Sequence, residues 1–235
     1  MKNLVLGVVC VALAFEVPAG AADLRVRAPV KAPIVDPIHN WTGFYAGGHF
    51  GYLWGRTRVE DDGVLVEPGA LTNGVIGGAV AGANLQTGPL VLGLEGDFGW
   101  TNAHGNGVVA AATVTTQAPN TYDFNWTSHF RGRAGYASGQ WLLFASGGLA
   151  IADFDFHEGA ITTTTTSVAR GAGGGTYTGW SIGGGLEYAF TQQIAGRLEY
   201  LFDDFGHKNY TGVDGGIYRV GLTGQTLRAA ATWRF

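Results

Sequence analysis

From Trp41 to Phe235 apolar and polar residues alternate with a period of two, in runs separated by clusters of Gly, Pro, Asn and Asp. Successive side chains of a β-strand point to opposite faces, so this pattern predicts half-buried strands. Eight runs stand out, at 43–56, 72–86, 89–102, 122–137, 140–155, 177–190, 193–206 and 222–235. The connections alternate in length. Those at 57–71, 103–121, 156–176 and 207–221 are long, while Thr87-Gly88, Ser138-Gly139 and Thr191-Gln192 are tight. Tight turns at one end and long loops at the other predict an all-β fold, an eight-stranded antiparallel up-and-down barrel with both chain ends on the tight-turn side.

The two faces differ enough to identify the solvent. In the third run Leu90, Leu92, Leu94, Phe98 and Trp100 oppose Glu95 and Asp97; in the fourth, Phe124, Trp126, Phe130, Ala134 and Tyr136 oppose Asp123, Asn125, His129, Arg131 and Arg133. The sixth sets Trp180, Ile182, Leu186, Tyr188 and Phe190 against Ser181 and Glu187. The seventh sets Ile194, Leu198, Tyr200 and Phe202 against Arg197, Glu199 and Asp203, and the eighth sets Leu227, Ala229, Ala231, Trp233 and Phe235 against Arg228, Thr232 and Arg234. The fifth, WLLFASGGLAIADF, is apolar on both faces and does not declare its register. Soluble sandwiches alternate too, so the aromatic residues carry the decision. Trp41, Trp141 and Trp233 fall at the tight-turn ends, and Trp54, Trp100, Trp126 and Trp180 at the loop ends. Phe44, Tyr136, Phe190 and Phe235 join the first level; Phe124, Phe154, Tyr177 and Phe202 join the second. Two aromatic girdles around an apolar band are expected at the two interfaces of a bilayer, which makes this a transmembrane β-barrel and membrane lipid its first partner.

The polar face then lies inside. Glu95, Asp97, Glu187 and Glu199 meet Arg131, Arg133, Arg197, Arg228 and Arg234 there, and charges in a narrow interior must pair. Two readings follow: an ion-pair network that fills the barrel, or an aqueous path whose charges set ion selectivity. An eight-stranded interior is just wide enough for side chains to fill, which favours the network. Glycine, 40 of 235 residues, recurs inside the strands, where it permits sharp bending and leaves room beside the arginines. The GAGGG run at 171–175 has neither the following Lys-Ser/Thr nor the strand-to-helix setting of a phosphate loop.

A basic start (Met1, Lys2, Asn3), an apolar stretch Leu4 to Phe15 and an Ala19-x-Ala21 close predict a cleaved signal peptide over 1–22, cut after Ala21 or Ala22. Residues 23–40, with Pro29, Pro33 and Pro37, read as a Pro-rich periplasmic linker, and 41–235 as the barrel domain. The one cysteine, Cys10, lies in the signal, so the mature chain has no disulfide, thiolate metal site or thiol nucleophile. A net charge of −4 without a basic patch argues against nucleic acid, and 12% aromatic content argues against disorder. The six histidines are spread singly. His104, His157 and His207 project into loops on one side, a weak metal set better read as solvated, so no metal or cofactor is expected. Asp203, Asp204 and His207 imitate a carboxylate–histidine pair at the rim, yet no positioned partner accompanies them, and no enzyme is expected. The low-complexity loop at 161–178 suits a variable surface that meets partners or is recognised as antigen.

WTGFYAGGHFGYLWG (41–55), FRGRAGY (130–136), GRLEYLFDDFG (196–206) and LTGQTLRAAATWRF (222–235) resemble the porin-like eight-stranded outer-membrane β-barrel proteins of Gram-negative bacteria. That family includes small surface antigens and resembles, more distantly, the OmpA-type barrel. The resemblance covers nearly all of 41–235 and implies a place in the outer membrane, insertion by the barrel-assembly machinery and no catalytic residues. It also implies that Phe235, on one face with Trp233 and Ala231, is the C-terminal signal that this machinery reads, besides being the lipid face of the last strand. The chain departs from OmpA in having no peptidoglycan-binding domain after the barrel, which speaks against cell-wall anchoring. The expected function is a structural, surface-exposed protein with four long extracellular loops, a surface antigen or interaction protein. A narrow channel for ions or small solutes is the alternative, and a rim enzyme the third reading.

Overall fold

The computed structural model describes residues 39–61, 64–107, 116–117, 120–157, 159, 161–162, 167–168, 172–211 and 217–235. The signal peptide expected at 1–22 and all but the last two residues of the expected linker lie outside them. Eight long strands make the body: β1 (Gly43–Asp61), β2 (Val64–Thr87), β3 (Leu90–Thr101), β6 (Asn120–Ser138), β7 (Trp141–His157), β10 (Ala172–Ala189), β11 (Ile194–Thr211) and β12 (Ile217–Arg234). Four short ones, β4 (His104–Gly107), β5 (Thr116–Gln117), β8 (Ile161–Thr162) and β9 (Ser167–Val168), lie between them. The long strands pair antiparallel in the order β1-β12-β11-β10-β7-β6-β3-β2, and β2 returns to β1, closing the ring. Up to the level of Trp180↔Asp204 closure satisfies the backbone without water, the condition for crossing lipid as strands; past that level β10 pairs with β7 and β11 with β12.

The tight-turn end keeps short connections, but the first two lie one residue later than expected and the third takes the four residues 190–193 between β10 and β11. Gly88-Pro89 and Gly139-Gln140 form two-residue turns, and Gly88 and Gly139 take φ near 60°, open to glycine at no steric cost. The other end differs. The segment expected as a loop at 57–71 is strand almost throughout: β1 pairs with β12 out to Asp61↔Tyr218 and with β2 out to Asp61↔Val64. Thr57 and Val59 alternate there with Arg56, Arg58 and Glu60, a β-branched, two-period pattern that continues the strand. Parts of the other three expected loops are likewise strand. β4 bridges β2 and β6, and β5, β8 and β9 form a small three-stranded sheet.

Leu85, Leu92, Leu94, Leu143, Ile182, Leu198 and Leu227 face outward around the middle of the wall. The undeclared register of the fifth run resolves with Leu142 and Phe144 inward and Leu143 and Leu149 outward. Inside, the filling is layered. Trp41, Val91, Ala137, Leu142, Ala189 and Ala195 pack at the tight-turn end, charged residues occupy the middle, and an aromatic cluster around Tyr122, Phe124, Phe154, Phe156, Tyr177 and Phe205 occupies the far end.

Four aromatic residues expected in the girdles are therefore elsewhere. Trp41 is fully buried in the mouth of the barrel, and Phe124, Phe154 and Tyr177 face the interior. Phe124 changes face because the β6/β7 register shifts between Phe124 and Trp126, a bulge at Asn125 that inverts the side-chain parity of everything before it. The remaining tryptophans, Trp54, Trp100, Trp126, Trp141, Trp180 and Trp233, are on the outer surface, as are Phe44, Tyr136, Phe190, Phe202 and Phe235.

Candidate functional site

The middle layer is a continuous ion-pair network contributed by five strands. Arg131 of β6 reaches Glu95 (2.9 Å) and Asp97 (2.8 Å) of β3 and Glu199 (2.8 Å) of β11. Arg133 lies 2.6 Å from Glu187 of β10 and 3.4 Å from Glu95. Arg197 lies 2.5 Å from Glu95 and 2.6 Å from Glu187, and Arg228 lies 3.0 Å from Asp97 and 2.9 Å from Glu199. All eight side chains are buried. Glycine makes room for them: a Cβ at Gly51 would come within 2.6 Å of the Arg228 Cβ, and one at Gly148 within 2.8 Å of the Arg131 Cα.

Ser146 accepts from Arg131 at 3.2 Å, and four further groups join this layer. The Tyr45 hydroxyl donates to Glu95 at 2.6 Å and accepts from Arg133 at 3.0 Å; the Phe144 ring lies 4.2 Å from the Arg133 guanidinium carbon. His129 stands between Asp97 (2.8 Å from Nδ1) and Asp203 (3.2 Å from Nε2). His129 and Asp203 had a signal in the sequence, since both fall on the polar face. Tyr45 had only its parity with His49 on the first strand, and Phe144 none, because its strand is apolar on both faces.

Among the described residues Arg234 makes no ion pair with the network, although Glu187 and Arg133 are within electrostatic reach of it. It lies six residues past Arg228, roughly 20 Å along the strand, and donates to the Asn40 carbonyl oxygen (2.9 Å) and His39 Nε2 while stacking on Trp41 (4.8 Å). Burial and the Arg234 guanidinium hold the His39 imidazole below its ordinary range, so its Nε2 stays free to accept. Trp41, His39 and Arg234 together stop the tight-turn mouth.

Beyond the outward ring of Trp54, Trp100, Trp126 and Trp180 the wall exchanges its faces. Tyr122, Phe154, Phe156, Tyr177, Phe205 and Leu222 now point inward, and Arg56, Arg58, Asp123, Asp153, Asp155, Asp204 and Arg219 point outward. Inside this stem the Phe154 ring packs on Phe124 (5.2 Å between centroids) and Tyr177 (5.9 Å), and the Tyr177 and Tyr210 hydroxyls share a hydrogen bond of 2.8 Å. Apolar inside and charged outside is the arrangement of a barrel in water; charged inside and apolar outside is that of a barrel in lipid. The change between them marks where the bilayer ends.

Asp203, Asp204 and His207 are not brought together at the rim. Asp203 faces the interior, whereas Asp204 and His207 face out; Asp204 accepts from the Gly206 N–H at 2.9 Å, and His207 is 3.0 Å from Arg219. His104 is bound to Asp123 (2.6 Å), away from His207. Among the described residues no group of three or more His, Cys, Asp or Glu could hold a metal ion.

Comparison with known proteins agrees with the barrel. The outer membrane protein beta-barrel domain family matches residues 8–235. The 31 kDa outer-membrane immunogenic protein of Brucella melitensis biotype 1 is 29% identical over the whole of both chains. The 25 kDa outer-membrane immunogenic protein of Brucella abortus biovar 1 is 29% identical over 100% of this chain and 99% of its own. The 22 kDa outer membrane protein of Rhizobium leguminosarum bv. viciae is 29% identical over 89% and 82% of the two chains. Among solved structures, OprG from Pseudomonas aeruginosa aligns with a TM-score of 0.48 at 9% identity, covering 84% of this chain and 97% of its own. A charge-filled interior, a closed antiparallel ring, a lipid-facing band and a match along nearly the whole chain lead to one conclusion: the protein belongs to the outer membrane protein beta-barrel domain family and resides in the outer membrane of a Gram-negative bacterium.

Proposed function

We propose that this protein is a closed, non-conducting barrel whose role is structural and surface-exposed, with the stem and its connections held above the outer leaflet as an interaction surface and antigen. The observation that carries the reading is the filling of the interior by three successive layers: the Trp41 plug, the Arg–Glu/Asp network and the aromatic core of the stem. An ion on the axis would have to displace all three, whereas a channel needs a hydrated path. In this reading the tight turns and both chain ends face the periplasm, the chain is exported through a signal over 1–22, and the barrel-assembly machinery inserts it. β1 runs seven residues past Trp54, which at a rise of about 3.3 Å per residue and a tilt of about 40° lifts the stem roughly 18 Å beyond the girdle. Two relatives carry immunogenic in their names, in keeping with a surface that meets the host.

Protein purified from outer membranes and added to a planar bilayer tests this. A folded barrel, confirmed by its heat-dependent gel shift, should give no steady conductance. Ion-selective steps that change on Arg131→Gln would overturn the reading in favour of a channel.

A further inference from the structure

Outside the barrel wall, immediately past the Trp54 level, β1, β11 and β12 form a cleft of about 340 Å³. Arg56, Arg58 and Arg219 supply its positive charge, with Thr223 and His207 beside them. The side chains reach it because strand parity is kept: Arg56 and Arg58 are two and four residues past Trp54 on the same outward face, and Arg219 follows on β12 opposite Glu60. Gly221, opposite Arg58, leaves the floor open.

Two carboxylates share the cleft, Glu60 and Asp204, and neither neutralises the arginines directly. Among the described residues no carboxylate lies within ion-pair distance of Arg56, Arg58 or Arg219. Asp204 is engaged instead by the Gly206 N–H at the β11 bulge, and Arg219 is hydrogen-bonded to His207. Three guanidiniums thus outnumber two carboxylates in the cleft, and among the described residues those of Arg56 and Arg58 have no hydrogen-bond or ion-pair partner.

Height selects the ligand. With a rise of about 3.3 Å and a tilt of about 40°, Arg56 and Arg58 stand roughly 5 and 10 Å above the Trp54 ring. The polar layer of a bilayer leaflet is roughly 5–8 Å thick, so Arg56 lies in it and Arg58 just above it, while Arg219, opposite Glu60, stands roughly 15 Å up. They also face away from the barrel axis, toward neighbouring lipid rather than toward a soluble ligand in the lumen. On the opposite side of the stem Asp153, level with Trp126, and Asp155 and Asp123 beyond it face outward, the first two held by Asn125 at 3.1 and 2.8 Å and Asp123 by His104 at 2.6 Å. The stem is therefore polarised, and an anionic headgroup has one favourable side.

We propose that the cleft of Arg56, Arg58 and Arg219 binds the phosphate groups of a phosphorylated lipid of the outer leaflet. The choice of leaflet rests on the orientation proposed above. The recognition itself does not, so an assay in detergent, where no leaflet exists, separates a failure of this proposal from a failure of that orientation.

Protein extracted from outer membranes is titrated in neutral detergent with a bis-phosphorylated glycolipid, with the same lipid after dephosphorylation, and with sodium phosphate as competitor. Saturable binding of the phosphorylated form alone is expected, weakening with added salt and resistant to millimolar phosphate. Replacing all three arginines (R56Q, R58Q and R219Q) should weaken it about a hundredfold, about fivefold for each charge lost. The lysine counterparts should retain most of it, and D153N should leave it unchanged. Should the triple variant not fold by its gel shift, R56Q and R58Q singly decide, each expected to be about fivefold weaker. Binding within twofold of the unaltered protein, equal binding of the dephosphorylated lipid, displacement by phosphate, or binding of an acidic polysaccharide in place of the lipid would each overturn the proposal.

Discussion

Replacing Phe154 with Ala separates the two environments that one alternating strand passes through. In a girdle, the ring would lie against headgroups and lose part of an interfacial contact. In the stem core, it is fully buried against Phe124, Tyr122 and Tyr177, with ring centroids 5.2, 6.2 and 5.9 Å away. Removing a buried Phe side chain costs about 3–5 kcal/mol, because the transfer energy is lost and a cavity remains. Its strand neighbours pair on both sides, Phe154↔Phe124 and Gly175↔Phe154, so the site has little freedom to collapse. The measurement is the urea unfolding midpoint of the barrel refolded into vesicles, followed by tryptophan emission, with half-exposed Trp180→Ala as the girdle reference. Phe154→Ala should lower stability by about 3–5 kcal/mol and more than Trp180→Ala does. The double variant with Phe124→Ala should show a coupling of about 0.5–1.5 kcal/mol, the usual worth of an aromatic pair beyond its area. A loss under about 1 kcal/mol, or one smaller than that of Trp180→Ala, would return the ring to the girdle and refute the exchange of faces.

Other consequences can be checked in the same unfolding assay. Leu94, 58% exposed and midway between the levels of Leu90 and Trp100, faces the apolar band; Leu94→Arg should cost about 2–4 kcal/mol, and an unchanged midpoint would reverse the faces. Arg131→Met strips a shared guanidinium from Glu95, Asp97 and Glu199 and should cost about 3–5 kcal/mol, partly recovered by a simultaneous Glu199→Gln; no recovery would mean that the pairing is not what is lost. His39 is held below its ordinary value near 6.5 in the folded state, so the unfolded chain binds the proton more readily. Its contribution to stability is complete above that value and falls as pH drops through it; His39→Gln should flatten this part of the pH profile, and an identical profile would exclude His39 as its source.

The number and order of strands were legible because period-two alternation survives any register and the three tight turns are marked by Gly, Ser and Thr. The lipid face of β3, β11 and β12 was legible for the same reason, with Leu92, Leu198 and Leu227 opposite charge. What alternation does not encode is which solvent each face meets. Aromatic residues at Phe154 and Tyr177 look alike whether they sit outward at an interface or inward in water, and the sign changes where the strand leaves the bilayer. At Phe124 even parity fails, because a bulge at Asn125 leaves no mark in composition. Arg234 shows a third limit: it keeps the polar parity of Arg228, but depth decides whom a charge meets, and among the described residues its direct partners are a histidine, a backbone carbonyl and a tryptophan ring.

The layered interior has a consequence for conduction that a single plug would not. Barriers in series act like resistances, so on the non-conducting reading proposed above the path should stay closed while any one layer is intact. Trp41→Ala would open the tight-turn mouth, and Phe154→Ala would leave a cavity in the stem, yet between them the buried arginines and carboxylates would still fill the section. Those side chains are cross-linked across the axis, Arg131 on β6 to Glu199 on β11 and Arg228 on β12 to Asp97 on β3, so they cannot swing aside one at a time without stranding a buried charge. Both single variants and the Trp41→Ala, Phe154→Ala double variant should therefore remain silent in a planar bilayer. Steady current through Phe154→Ala alone would show that the stem core is the one seal and that the charged layer beneath it is already hydrated.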